Sequence, residues 1–249
     1  MSLFSFKLLC LLFILFVSIL AGWYPFVKKI KVQHAFDMPV AEALEGGIFL
    51  GAGLIHMLGD AAHGFFSAGY VYPAPFFICG LTFLLLLLIE HVGRDFYQEH
   101  KETAFVILTL VMLSIHSLLE GLALGLSDTF SVGILILFAI GAHKWAASFA
   151  LAVELNKRLH TFKKALYGFI IFALMTPVGI MLGGLASSDL LPYPMAQATF
   201  MAMAAGTFLY LGTMRSLAYA YMVKERHDLA TFLLVLLGFL IMAVVAIWA

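Results

Sequence analysis

Residues 103–126 read TAFVILTLVMLSIHSLLEGLALGL, an unbroken apolar run with a histidine and a carboxylate near its middle. A helix needs ~20 such residues to cross the hydrocarbon core of a bilayer. On that helix His116 and Glu120, four apart, project from one face, one turn from each other. A carboxylate at mid-depth costs roughly 2.5–3.5 kcal/mol on insertion scales unless it is paired or lines a wet cavity, so Glu120 demands a partner. The next apolar run supplies candidates, His143 and Lys144, again near its middle. Only about Ser127-Asp128-Thr129 joins the two runs, which makes them antiparallel neighbours. Each histidine lies thirteen residues into its run, so both reach the same depth. His116, Glu120 and His143 together offer two imidazoles and a carboxylate, a donor set suited to zinc or a similar divalent ion, with positions left open for water. One buried histidine alone reads as a packing residue; the three together read as a site for a metal in transit.

Composition sets the class. The chain is 63% hydrophobic and 11% charged with a formal net charge of +0, and its mean hydropathy is +1.05. Those values exclude an ordinary soluble domain and leave no basic surface for nucleic acid. Cys10 and Cys79 sit in apolar runs and form no C-x-x-C pair. Eight apolar segments follow one another at about 5–27, 40–59, 73–93, 103–126, 130–155, 164–186, 195–222 and 229–248. They predict an all-α polytopic membrane protein of eight transmembrane helices, a single transmembrane domain over 1–249. The first segment, with Lys7 before it and Ala21-Gly22 within it, has some features of a cleaved signal. Cleavage would strand Lys28, Lys29 and Lys31 at a new N-terminus, and the segment is read as a span. Lys and Arg fall in alternate loops: Lys28, Lys29 and Lys31; Arg94 and Lys101; Lys157, Arg158, Lys163 and Lys164; Lys224 and Arg226. By the positive-inside rule those loops are cytoplasmic and both termini lie outside. Asn156, the only asparagine, is not in a glycosylation sequon. The short loops suit a multi-pass protein of a plasma membrane or a bacterial inner membrane.

The pattern His116-Ser117-x-x-Glu120-Gly121-Leu122-Ala123-x-Gly125, followed by His143-Lys144, resembles the fourth- and fifth-helix signatures of the ZIP (Zrt/Irt-like) metal transporters, in the branch with a His-Lys pair. Gly46-Gly47-x-Phe49-Leu50, Met175-Thr176-Pro177-x-Gly179 and Ala204-Ala205-Gly206-Thr207-Phe208-Leu209-Tyr210 extend the resemblance over spans two to seven. It implies uptake of zinc, sometimes iron, manganese or cadmium, into the cytosol by a homodimer. It also implies a 3+2+3 arrangement in which inverted repeats, spans one to three and six to eight, flank spans four and five. No cofactor is implied; the divalent metal ion is the cargo, and the bilayer and a second copy of the chain are the other partners. Many relatives bind two metals side by side. Here the corresponding positions hold Ser117, Lys144, Ala147 and Thr176, so one ion per site is expected. Ser117 and Lys144 are the candidate substitutes for the second site: either the Lys144 ammonium pairs with Glu120 once the ion has left, or it neutralises some other group or reaches a wet crevice. Where relatives carry a seventh-span glutamate, Arg215 stands near the cytoplasmic end, where a snorkelling side chain is expected.

Polar residues outside the centre suggest a route. His56, Asp60 and His63 share a helical face at the outer end of the second span and form a candidate entrance. On the fifth span Glu154 lies eleven residues beyond His143, ~16 Å towards the cytoplasm, and with Glu90 and His91 makes a candidate exit. His100 and His227 fall in charged loops and read as solvated. Pro177 leaves the Ala173 carbonyl without its helical partner and predicts a kink in the sixth span. An intramembrane zinc-dependent hydrolase would use the same ligands with Glu120 as base, but no H-E-x-x-H motif is present. A metal sensor would need an output domain that the sequence lacks, and the absence of a Walker A loop argues against ATP-driven pumping.

Overall fold

The computed structural model describes residues 2–27, 38–96, 101–159, 161–190, 195–218 and 229–247, with side chains omitted at 38–41, 94–96, 101–102 and 187–190. Every long element is a helix, as a chain so apolar requires when its backbone must satisfy its own hydrogen bonds in lipid. In chain order they are α1 (Leu3–Val27), α2 (Met38–Gly51, Ala52–Met57 and Leu58–Ser67 in one rod), α3 (Ala74–Phe96), α4 (Lys101–Gly125), α5 (Phe130–Arg158), α6 (Phe162–Leu190), α7 (Met195–Tyr210 continuing through Leu211–Leu217) and α8 (Leu229–Val245). Six of these, all but α7 and α8, are long and apolar enough to cross a membrane. The described part of α8 is 17 residues, and α7 spans 195–217.

Two rods depart from α-helical bonding. Ala52–Met57 in α2 and Leu211–Leu217 in α7 are π-helical, the Leu58 amide reaching back to the Gly53 carbonyl and the Ala218 amide to that of Thr213. Such turns rotate the side chains around them and concentrate at functional sites. The sequence pattern also ended the second span near residue 59, whereas α2 continues to Ser67 and carries Asp60 and His63 on ordered helix.

α1 packs along α5 and α6, so the segment with signal-like features is an integral part of the bundle. Its Lys7 ammonium, only 8% exposed, donates to the Gly125 carbonyl at 2.6 Å and holds the start of α1 to the end of α4. The tight turn to α5 is closed by the Thr129 hydroxyl, which accepts from the Val132 amide, an N-cap of ordinary type. α6 runs unbroken through Pro177. Lys157, Arg158, Lys163 and Lys164 gather where α5 turns into α6. Lys28, Lys29, Lys31, His100, Lys224, Arg226 and His227, and the side chains of Arg94 and Lys101, lie outside the described residues.

The helices form two groups, α1, α4, α5 and α6 against α2, α3, α7 and α8; the broadest contact across the seam is α4 against α7. Within the first group α4 and α6 meet backbone to backbone. A Cβ added at Gly121 would run into the Thr176 carbonyl and come within 3.0 Å of the Gly179 Cα; one added at Gly125 would lie 2.9 Å from the Gly183 Cα. Small residues on both faces are how apolar helices gain contact in lipid, where burial alone provides no drive. In the second group Gly47 and Gly238 do the same for α2 and α8. The small stripe on α4 thus has a specific partner, and it brings α6 close enough for Thr176 to touch α4's carboxylate.

Gly179→Val places a branched side chain into the Leu118 carbonyl and the Gly121 backbone and is expected to cost at least ~1–3 kcal/mol. Gly80→Ala, on a face with nothing within 4 Å of the added carbon, should leave stability unchanged or slightly raised. Thermal unfolding of both variants in detergent checks this; equal midpoints would mean that α4 and α6 are not held by this contact.

Candidate metal site

α4 presents His116 and Glu120 one turn apart, and α5 brings His143 and Lys144 to the same level. One donor atom from each of His116, Glu120 and His143 lies within 4.8 Å of the others, and all three residues are buried. Among the described residues this is the one such group of histidine, cysteine and acidic side chains. The expectation of matched depth is met: the two imidazoles stand 5.9 Å apart, centroid to centroid.

Glu120 is the hub. Its Oε1 accepts from the Lys144 ammonium at 2.7 Å and from the Thr176 hydroxyl at 2.8 Å. Its Oε2 faces inward to the histidines, 3.0 Å from His143 Nε2 and 3.2 Å from His116 Nε2. Lys144 has three N–H donors and uses them on three oxygens, each at 2.7 Å: Glu120 Oε1, Ser117 Oγ and Thr176 Oγ1. Its charge also lies 4.7 Å from the centre of the Phe172 ring, a face that favours cations. The carboxylate and the ammonium thus compensate one another in a place where neither could stand alone.

α7 closes the site from across the seam. His116 Nδ1 is 2.7 Å from the Thr207 hydroxyl. The Phe208 ring stacks on the His116 imidazole at 3.6 Å with 16° between planes, and meets His143 edge-on at 4.9 Å.

Asp60 links the candidate entrance residues. His56, on the π-helical part of α2, is only 2% exposed, and its Nδ1 lies 3.0 Å from Asp60 Oδ2. Asp60 and His63 line a cavity of about 380 Å³ bounded by α2, α5 and α7, and His63 Nε2 lies 3.5 Å from Ser67 Oγ. Of the candidate exit residues, only Glu154 lines the cavity at the other end of the bundle, a small one of about 50 Å³ shared with Glu42, Glu45 and Arg215; Glu90 and His91, at the end of α3, do not. Phe49 also lines that cavity and stacks on Phe208 at 4.5 Å. Two aromatic rings therefore stand between it and the His116 imidazole.

Arg215 corrects an expectation. It does not snorkel: 6% exposed, it donates from Nη2 to the Phe105 carbonyl at 2.8 Å and lies 3.9 Å above that ring. The π-helical turn that carries it directs the side chain into the protein. Arg158 covers the same ring at 4.4 Å and pairs with Glu154 at 2.5 Å. Thr207, Glu42 and Glu45 were not among the residues proposed from sequence. Acids on α2 at 42 and 45, on the same rod as His56, were a signal that could have found the last two. Thr207 lay within a quoted family motif without a role.

The ZIP Zinc transporter family profile matches residues 97–246. Mouse zinc transporter ZIP2 is 30% identical over 305 aligned positions, covering 98% of this chain and 98% of the relative. Zinc transporter 11 of Arabidopsis thaliana is 27% identical, covering 99% of this chain and 86% of its own length. Human zinc transporter ZIP2 is 25% identical, with 98% of both chains covered.

Lys144→Met removes the charge that compensates Glu120 and should cost ~3–5 kcal/mol, the usual effect of orphaning a buried ion. Adding Glu120→Gln should recover much of that loss. Thermal unfolding of single and double variants in detergent measures it, and a double variant no more stable than Lys144→Met would contradict the pairing.

Proposed function

The chain belongs to the ZIP zinc transporter family, and from that premise we propose that it carries zinc into the cytosol through the His116, Glu120 and His143 site. It is a multi-pass membrane protein and a metal ion transporter rather than an enzyme. The observation that supports the site is the convergence of those three side chains within 4.8 Å, fully buried, inside a bundle of membrane-spanning helices.

In this reading the ion binds between His116 Nε2, His143 Nε2 and Glu120 Oε2, with remaining positions taken by water. His143 Nε2, 3.0 Å from Glu120 Oε2, donates there while the ion is absent. For the ion to bind, the single ring proton moves through water to Nδ1, which has no other hydrogen-bond partner, and the ion takes the freed lone pair. Glu120 Oε1 stays with Lys144 and Thr176. Lys144 fills the position of a second metal, held by Ser117 and Thr176, so each site carries one ion. His56, Asp60 and His63 admit the ion from outside, and Glu154 with Glu42 and Glu45 receives it on the cytoplasmic side. Alternating access comes from movement of the group α1, α4, α5 and α6, which bears all the ligands, against α2, α3, α7 and α8. The chain works as a homodimer in the bilayer, as the family resemblance implies. An inside-negative potential of 100 mV favours a divalent cation by ~4.6 kcal/mol, so influx needs no ATP.

Hydrolysis at the same ligands is disfavoured by the bonding of Glu120. A general base needs an oxygen free to take a proton from water, and here Oε1 already accepts two donors while Oε2 lies against both histidines.

Purified protein in sealed vesicles with an internal zinc dye tests the proposal. Wild type should show saturable influx, while His116→Ala and Glu120→Ala should each abolish it. Undiminished influx in both variants would move the pathway away from this site. Lys144→Ala should shift the zinc dependence of influx; an unchanged curve would remove Lys144 from the cycle.

A further inference from the structure

All three candidate ligands stand on α4 and α5, yet one bond that orients them comes from the other helix group. Thr207 on α7 is fully buried, its Oγ1 2.6 Å from the Ala204 carbonyl and 2.7 Å from His116 Nδ1. A hydroxyl has one proton and a carbonyl can only accept. The Thr207 proton is therefore committed to Ala204, and its oxygen must accept from His116. His116 then carries its proton on Nδ1 and a lone pair on Nε2.

Nε2 lies 3.2 Å from Glu120 Oε2, but the ring does not point at that oxygen closely enough for a hydrogen bond. Glu120 by itself would select the opposite tautomer, because a carboxylate draws an N–H towards it. A neutral imidazole lone pair beside a carboxylate oxygen, neither bonded to the other, is instead an arrangement that a cation between them completes. Phe208, the next residue on α7, stacks on the same ring at 3.6 Å. The stack sets the plane of the imidazole and Thr207 sets its rotation within that plane.

We propose that Thr207 is a positioning residue that holds His116 in the metal-accepting tautomer, and that its place across the seam ties metal affinity to helix position. While α4 lies against α7 in this register, Nε2 is open to the ion. When the groups slide, the Thr207 bond breaks, the imidazole is free to exchange its proton through water from Nδ1 to Nε2, and Nε2–H then bonds Glu120 in place of the ion. The net protonation of His116 is the same before and after. The proposal rests on the reading of His116 as a ligand.

The test is zinc binding to the purified full chain, together with vesicle influx, for Thr207→Val, Thr207→Ser and His116→Ala. Partners that orient a ligating histidine typically contribute ~10–100-fold to metal affinity. Thr207→Val, which keeps the shape and loses the acceptor, should weaken zinc binding by that factor and raise the KM for influx alike. Thr207→Ser should stay near wild type. If Thr207→Val does not fold, Thr207→Ala carries the same expectation. Nitrogen-15 NMR of labelled histidine, with the His116 signal assigned by its loss in His116→Ala, should show the Nδ1–H form in wild type and Thr207→Ser and the Nε2–H form in Thr207→Val. Unchanged affinity in Thr207→Val with weakened binding in His116→Ala overturns the proposal, as does Thr207→Ser behaving like Thr207→Val. Unchanged affinity in both Thr207→Val and His116→Ala overturns instead the ligand assignment beneath it.

Discussion

A single carboxylate in the middle of a bilayer constrains this molecule. Glu120 cannot remain ionised there without compensation, and its surroundings supply it from three helices. Lys144 reaches it from α5, Thr176 from α6, and the histidines from α4 and α5. The backbone contact of α4 with α6 belongs to the same requirement. Thr176 is a short side chain, and it touches Glu120 because Gly121 and Gly125 lie against Gly179 and Gly183. Larger residues at those glycines would hold α6 away and leave the Lys144 ammonium one acceptor short. Helix packing and site electrostatics are one problem here, and the glycines serve both.

Much of this was legible in the sequence because it depends on local geometry or bulk composition. The His116–Glu120 spacing defines one helix face, and the short turn at 126–129 fixes the depth of His143 relative to it. The compensation of Glu120 could be anticipated from cost alone, and Lys144 was the cation placed at a matching depth on the next helix. What could not be read depends on contacts between helices far apart in the chain. The π-helical turns of α2 and α7 leave no periodic signature, so the inward course of Arg215 was lost, and with it the cavity that it shares with Glu42, Glu45 and Glu154. Thr207 was invisible for the same reason. A threonine in an apolar helix is ordinary, and its meaning comes from the imidazole opposite, ninety-one residues away in sequence.

The seam between the two helix groups runs through the site. His116, Glu120, His143 and Lys144 lie on one side, with Thr207 and Phe208 on the other. Interactions within the ligand-bearing group, the Lys144–Glu120 pair above all, can survive a relative movement of the groups. Those across the seam cannot. In the proposed movement the strong, expensive electrostatics stay within one helix group, and what would be broken in each cycle is a neutral hydrogen bond and an aromatic stack. A net hydrogen bond is worth ~0.5–1.5 kcal/mol and a stacked pair ~0.5–1.5 kcal/mol, small enough to break and re-form at every turnover.

The same division bears on how many ions the site holds. Removing a metal from a buried carboxylate exposes its full desolvation cost, and a transporter that empties its site must provide a replacement charge. Lys144 is covalently tethered and already satisfied by three oxygens at 2.7 Å, so it need not leave when the ion binds at Oε2 or return when the ion departs. In the proposed cycle a tethered ammonium keeps Glu120 ionised and oriented throughout, and His143 needs only to shift its ring proton from Nε2 to Nδ1 for the metal to bind at the other oxygen. Two mobile cations sharing one carboxylate would have to be bound and released in order. In the proposed function, with one of them fixed to α5, the cycle reduces to a single binding step governed by the imidazoles, and it is those imidazoles that Phe208 of α7 touches from across the seam.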